Sequence, residues 1–149
     1  MSENNPIRVF VTHNFTETGD YLRVFEFLES VDRFYYLNVS KPEKLPESGG
    51  PTAAKDELIV QIRECEAVIV LASLYIEQRD LVSYQMDVAE ASQKPLIGIR
   101  PFGGVMDTPA DLVGRLQKHI NWNAREIVDA ITLLARLEDT KRFEVIDFP

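Results

Sequence analysis

A cluster of hydrogen-bonding and aromatic side chains follows the first apolar run of the chain, residues 7–12. Thr12, His13, Asn14 and Phe15 could contact a ligand there, because loops that follow strands often carry function. The same residues have ordinary structural uses, since Asn14 suits a turn and Phe15 could pack beneath a sheet. An imidazole with its usual pKa of about 6.5 can serve as an acid or a base. Because the sequence offers His13 no partner, we expect a surface residue without a catalytic role.

The sequence signatures of common catalytic and cofactor sites are absent. Neither the glycine-rich dinucleotide fingerprint nor the P-loop occurs, and no G-x-S-x-G elbow could seat a hydrolase nucleophile. The pair Gly103-Gly104, after the fourth predicted strand, could approach a phosphate through its bare backbone, but a pair of glycines is more often simply a turn. One cysteine, Cys65, and two histidines exclude a cysteine-built metal site and argue against a zinc centre. We therefore expect no metal and no bound cofactor, and we expect Cys65 to be buried.

Short apolar runs alternate with segments of helical periodicity along almost the whole chain. The runs predict five strands, and the run at 67–72 is continuous enough to be buried on both faces. The stretch 40–51 holds three prolines and two glycines, which predict a long irregular loop. Residues 75–79 are also expected to form a loop. The predicted strands span 7–12, 34–39, 67–72, 95–99 and 120–122, and the predicted helices span 20–30, 52–64, 80–93, 109–117 and 123–137.

This alternation predicts the fold. Parallel strands need crossover connections, which are right-handed and place helices on both faces of the sheet. We expect a flavodoxin-like α/β sandwich of three layers, with a five-stranded parallel sheet in the order 2-1-3-4-5. The expected division is a flexible N-terminus at 1–6, one domain at 7–139 and a C-terminal tail at 140–149. Ligands of such sheets bind at the carboxyl ends of the strands, where the strand order reverses.

The charge balance limits the partners. The chain has 24 acidic and 16 basic residues, a formal charge of −8, which repels nucleic acid. An anionic ligand could bind only where helix N-termini or cations such as Lys41, Arg79 or Arg100 offset this field. No apolar run approaches the roughly 20 residues that span a bilayer, and the polar start does not resemble a signal peptide. We therefore expect a cytoplasmic protein that has no membrane contact.

Six segments, taken in order and spacing, resemble the bacterial TIR-like family. This is the branch of Toll/interleukin-1 receptor domains that includes the TIR proteins of the Thoeris anti-phage systems. The resemblance spans roughly residues 7–134. The segments are Arg8–His13, Glu66–Leu71, Tyr84–Ala89, Lys94–Ile99, Ile120–Asn123 and Arg125–Ile131.

The resemblance implies a function and a site. Active members cleave NAD between nicotinamide and ribose, and others are scaffolds that bind TIR domains. The family's catalytic glutamate lies in a pattern close to W-x-x-x-E-I, where this chain has Leu81 and Gln85. Because a carboxylate stabilises the positive charge that develops on the ribose, a neutral amide should cripple the reaction. The expected ligand contacts are Thr12, His13, Asn14, Phe15, Lys41, Ser73 and Tyr84.

The helical position of Gln85 leaves its role open. At about 100° per residue, Gln85 lies roughly 60° from the centre of the apolar stripe that Val82, Met86 and Ala89 form. It could be a half-exposed residue without a role or a hydrogen-bonding contact to a ligand. Two nearby acids on this helix, at positions 87 and 90, are expected to face solvent. Glu77, in the loop expected at 75–79, is the better substitute for the missing carboxylate.

Three hypotheses follow for the function. The first is a TIR-like domain in bacterial signalling or anti-phage defence that binds NAD or an ADP-ribose-type nucleotide, with weak or absent NAD glycohydrolase activity. The second is a non-enzymatic module that assembles with itself or with another TIR-domain or effector protein. The third is an enzyme similar to nucleoside deoxyribosyltransferases, which share this type of fold and also need a carboxylate.

Overall fold

The sheet has the predicted topology. In the computed structural model, which describes residues 1–137, five parallel strands are ordered β2-β1-β3-β4-β5. The central strand β3 is buried at all five positions, as its continuous apolar run predicted. The strands are β1 Ile7–Val11, β2 Tyr36–Asn38, β3 Ala67–Leu71, β4 Leu96–Ile99 and β5 Lys118–Ile120.

Helices cover both faces of this sheet. Helix α1 packs with α6 on one face, and α2 packs with α4 on the other, as right-handed crossovers in this strand order require. Asn123 caps α6, because its side chain accepts a hydrogen bond from the main-chain N–H of Glu126. The helices are α1 Gly19–Glu29, α2 Gly50–Glu64, α3 Ala72–Glu77, α4 Arg79–Ala91, α5 Ala110–Val113 and α6 Ala124–Arg136.

Several predicted bounds were wrong. The loop expected at 75–79 is mostly helix, because α3 runs directly from β3 to Glu77 and meets α4 at Gln78. The irregular loop is shorter than expected, because Pro42–Lys44 forms a 3-10 turn and α2 begins at Gly50, with Pro51 in its first turn, where proline is tolerated. The helix expected at 109–117 stops at Val113, so β5 begins earlier than predicted.

The structure also places two side chains at the interior. Cys65 is buried, as predicted. The ring of Trp122 packs against the core and contacts Phe27 of α1 and Phe102 of the loop after β4. The expected tail at 140–149 lies outside the described residues. Within residues 1–137, no helix is long and apolar enough to cross a membrane.

Gly98 in β4 lies against the side chain of Leu116, so a larger residue at this position should cost stability. A Cβ at this position would overlap the side chain of Leu116, so Gly98→Ala should lower the free energy of unfolding by about 1–3 kcal/mol. Urea denaturation would measure this loss. Gly98→Ala should destabilise the protein less when Leu116 has already been replaced by alanine, because the overlapping atoms are then absent. Gly19→Ala is the control, because a Cβ at Gly19 would have no atom within 4 Å. Equal losses for the two glycines would contradict the packing argument.

Candidate functional site

The buried polar side chains of the described residues gather at the carboxyl edge of the sheet. They are Thr12, His13, Ser40, Gln61 and Gln85. Among residues 1–137, no buried side-chain nitrogen or oxygen lacks a hydrogen-bond partner. Because burying an unpaired polar group is costly, this network must form completely for the edge to pack.

Gln85 is fully buried and bonded to the main chain of the loop after β1. Its Oε1 accepts from the His13 N–H at 3.1 Å, and its Nε2 donates to the His13 carbonyl oxygen at 2.9 Å. Nε2 also donates to the carbonyl oxygen of Leu81 at 3.2 Å. The expectation of a half-exposed residue was therefore wrong. The helical positions placed Gln85 beside the apolar stripe, but they could not show that the loop after β1 packs over this side chain and buries it.

His13 is also buried, which contradicts its predicted surface position. Its Nδ1 accepts from the Phe15 N–H at 3.0 Å, so the other nitrogen carries the proton of a neutral ring. That Nε2 lies 2.9 Å from Oε1 of Gln61, to which it can donate. Burial lowers the pKa of His13 from its usual 6.5, because the charged imidazolium is poorly solvated there.

Gln61 of α2 was not singled out from the sequence. Its Oε1 accepts from the Lys41 N–H at 2.8 Å, and its Nε2 donates to the Lys41 carbonyl oxygen at 3.1 Å. It therefore joins the loop after β2 to His13. The signal was present, because Gln61 lies three residues after Leu58 and next to Ile62, both buried, and so falls on the same helical face.

The remaining residues of the first loop hold it in shape. Thr12 Oγ1 accepts from the Leu71 N–H at 3.1 Å, which joins β1 to the end of β3 where the strand order reverses. Asn14 Oδ1 accepts from the N–H and the hydroxyl of Thr16, which is the turn role. Phe15 has a φ of 65° and packs edge-on against the His13 ring, 5.0 Å between centroids.

A cavity of about 220 Å³ lies between the start of α1 and helix α3. Ser73 and Glu77 line it, as do Asp20 and Thr18. The Ser73 hydroxyl donates to Asp20 Oδ2 at 2.7 Å, while Asp20 Oδ1 pairs with Arg23. Glu77 is exposed, so it presents a solvated carboxylate at the cavity. The structure thus brings Ser73 and Glu77 together, while Gln85 does not line this cavity.

Two other predicted contacts lie elsewhere. The Tyr84 hydroxyl donates to the carbonyl oxygen of Lys55 at 3.4 Å, and the Lys55 ammonium lies 5.1 Å from the Tyr84 ring centroid. Lys41 has an exposed side chain and contributes to the network through its main chain. Neither lines the cavity that contains Ser73.

The two acids of α4 that were expected to face solvent are exposed. Asp87 and Glu90 both lie 2.6 Å from the guanidinium of Arg115. They are therefore held on the outer side of the helix, away from Gln85.

A scan of the chain against protein-family models and a search of curated proteins found no match.

Replacing Gln85 by glutamate should destabilise the protein. A carboxylate could accept from the His13 N–H but could not donate to the His13 carbonyl oxygen, and it would be buried without a counter-charge. We expect Gln85→Glu to lower the free energy of unfolding by roughly 2–4 kcal/mol at pH 7.5. Urea denaturation would measure it.

The pH dependence of this loss is a further check. The protonated acid can donate to the carbonyl oxygen, so folding raises the pKa of the introduced carboxyl above the ordinary value of about 4.3. The destabilisation should therefore be smaller at pH 5 than at pH 7.5. The control is Glu77→Gln, the reverse exchange at an exposed site, which should change stability by under about 0.5 kcal/mol. A stable Gln85→Glu variant would contradict the network.

The neutral state of His13 predicts a loss of stability in acid. Since folding lowers the pKa of His13 below 6.5, the unfolded chain binds the proton more readily. Stability should be unaffected by His13 above about pH 6.5 and should fall as the pH drops below it, by at most about 1.4 kcal/mol per pH unit. Unfolding curves of wild type and His13→Gln between pH 5 and 8 would isolate this slope.

The matched control is the other histidine. Burial and Arg100 also lower the pKa of His119, but this ring is only partly buried, so His119→Gln should remove a smaller part of the slope. A slope that His13→Gln leaves unchanged would show that the acid sensitivity arises from other groups.

Proposed function

We propose that this chain is a TIR-like domain that binds NAD or an ADP-ribose-type nucleotide, in bacterial signalling or anti-phage defence, without significant cleavage of the nicotinamide–ribose bond. One observation carries the proposal. The residue at the position of the family's catalytic glutamate, Gln85, is 0% exposed, and both its amide atoms are bonded to the main chain of His13.

This arrangement removes the electrostatic part of catalysis. Cleavage needs a negative charge close to the developing oxocarbenium ion of the ribose. A full charge pair at 4 Å and an effective dielectric of 20 contributes about 4 kcal/mol, which is close to a thousandfold in rate. Gln85 carries no net charge, and its dipole is already engaged by His13. The resemblance therefore supports a nucleotide site, and the buried amide supports a site without the usual chemistry.

The cavity beside α3 is the best candidate for nucleotide contact. Its volume of about 220 Å³ is below the roughly 300–1,000 Å³ of pockets that enclose whole ligands, so it suits one part of a nucleotide. Glu77 can accept hydrogen bonds from ribose hydroxyls, and the Ser73 oxygen can accept one while its hydrogen is donated to Asp20. The exposed carboxylate of Glu77 favours the cationic nicotinamide half of NAD over its phosphates, whereas the charge of Asp20 is already paired with Arg23.

Glu77 is a weak substitute for the missing catalytic carboxylate. It lies at the end of α3 and is exposed, so water screens its charge. Screening lowers its effect on a developing cation far below that of a buried carboxylate. We therefore assign Glu77 a binding role in this proposal.

The test measures cleavage and binding separately. Purified protein incubated with NAD should release no more nicotinamide than a protein-free sample, as followed by chromatography. Calorimetric titration with NAD should nevertheless show saturable binding, which Glu77→Gln should weaken about threefold to tenfold because a charge-assisted hydrogen bond is lost. Glu64→Gln, the same change of charge at an exposed position of α2, should leave binding unchanged.

Three outcomes would overturn the proposal. Rapid nicotinamide release that Gln85→Ala abolishes would show that Gln85 takes part in catalysis. No binding of NAD or ADP-ribose, together with sedimentation that depends on protein concentration, would favour the interaction module instead. Base exchange between deoxynucleosides would favour the transferase.

A further inference from the structure

The loop after β4, residues 101–108, has main-chain donors without protein acceptors. The N–H groups of residues 105–108 form no hydrogen bond within the described part of the chain. Gly103 and Gly104 precede them with φ of 91° and 71°, in the left-handed region that favours glycine. A Cβ at either glycine would have no atom within 4 Å, so the positive φ, and not a lack of space, explains why glycine occupies both positions.

Backbone of this kind can bind anions. Successive N–H groups around residues in the left-handed region can converge on one point and form a concave anion site. Four consecutive unpaired N–H groups beside two such glycines supply these donors. Water can satisfy them in an exposed loop, so a ligand needs a further attraction, which must come from charged side chains.

Arg100 supplies a charge at the same place. Its side chain is exposed and forms no ion pair among the described residues, whereas Arg79 is paired with Asp111. His119 is fixed nearby, because its Nε2 lies 2.8 Å from the hydroxyl of Thr108. The imidazole and the hydroxyl are both groups that can contact a tetrahedral anion. Arg100 thus keeps a free guanidinium in an acidic protein.

The base of the loop is held in position. The indole N–H of Trp122 donates to the Arg100 carbonyl oxygen at 2.7 Å. The guanidinium carbon of Arg23 lies 3.8 Å from the centroid of the Phe102 ring. These contacts fix the residues on which the donors and the charge depend, so the site does not have to be assembled wholly by its ligand.

We propose that this loop binds a phosphoryl group, either free phosphate or the phosphate of a larger molecule. The cavity has a volume of about 240 Å³ and is lined by Arg100, Gly104, Met106, Asp107, Thr108 and His119. Arg100 provides the charge, and the main-chain N–H groups and Thr108 provide hydrogen bonds. Asp107 opposes an anion and so weakens the affinity. The proposal does not depend on the nucleotide proposal, because other residues line the cavity at Ser73.

The test is an NMR titration of the full chain with inorganic phosphate at constant ionic strength, adjusted with chloride. Amide signals of residues 103–108 should shift and saturate at millimolar phosphate. Arg100→Gln should weaken binding about tenfold, since a charge-assisted contact is lost. Arg63→Gln, an equal change of charge at an exposed position of α2, should leave phosphate binding unchanged. Asp107→Asn should tighten binding by a few fold and keeps the test informative if Arg100→Gln misfolds.

Adenosine monophosphate distinguishes the two sources of the phosphoryl group. Binding at the same amides at least tenfold tighter than phosphate would identify the phosphate of a larger molecule as the ligand, and equal binding would identify free phosphate. Shifts scattered over the surface, or equal weakening by Arg63→Gln and Arg100→Gln, would overturn the proposal. An Asp107→Asn variant that binds no tighter would also contradict it, because Asp107 lines the cavity.

Discussion

The paired hydrogen bonds between the Gln85 amide and the main chain of His13 hold the carboxyl edge of the sheet together. They join α4 to the loop after β1 in a place that water does not reach. Through the His13 ring, the same contact continues to Gln61 and then to the loop after β2. A carboxamide is suited to this position because it donates and accepts at once, which a carboxylate cannot do.

This constraint bears directly on the family resemblance. The proposed alignment with that family places its catalytic carboxylate at position 85, where this chain has an amide that is buried and bonded to the main chain of His13. The carboxyl edge of the sheet therefore has two parts. One is a dry, fully satisfied polar network around His13, and the other is the open cavity at Ser73 and Glu77. The proposed nucleotide contact lies in the open part, where a ligand can reach.

The two cavities at this edge of the sheet differ in charge. Glu77 gives the cavity beside α3 a negative charge, since Asp20 is paired with Arg23, whereas Arg100 in the loop region after β4 has no ion pair among the described residues. Of the three cations expected to offset the field, Arg79 is neutralised by Asp111, and Lys41 is exposed away from both cavities. Of these three cations, Arg100 is therefore the one that lines a cavity without an ion pair, although Asp107 in the same cavity opposes an anion.

The sequence by itself determined the sheet, its order and its helical layers, because strand and helix periodicities and right-handed crossovers leave few alternatives. It also placed the residue at position 85 beside the buried stripe, and the spacing of Gln61 from Leu58 carried an unused signal of burial. Only the tertiary structure decided that His13 and Gln85 are buried partners. They are 72 residues apart, and their contact depends on how a loop packs over a helix, which no local pattern encodes.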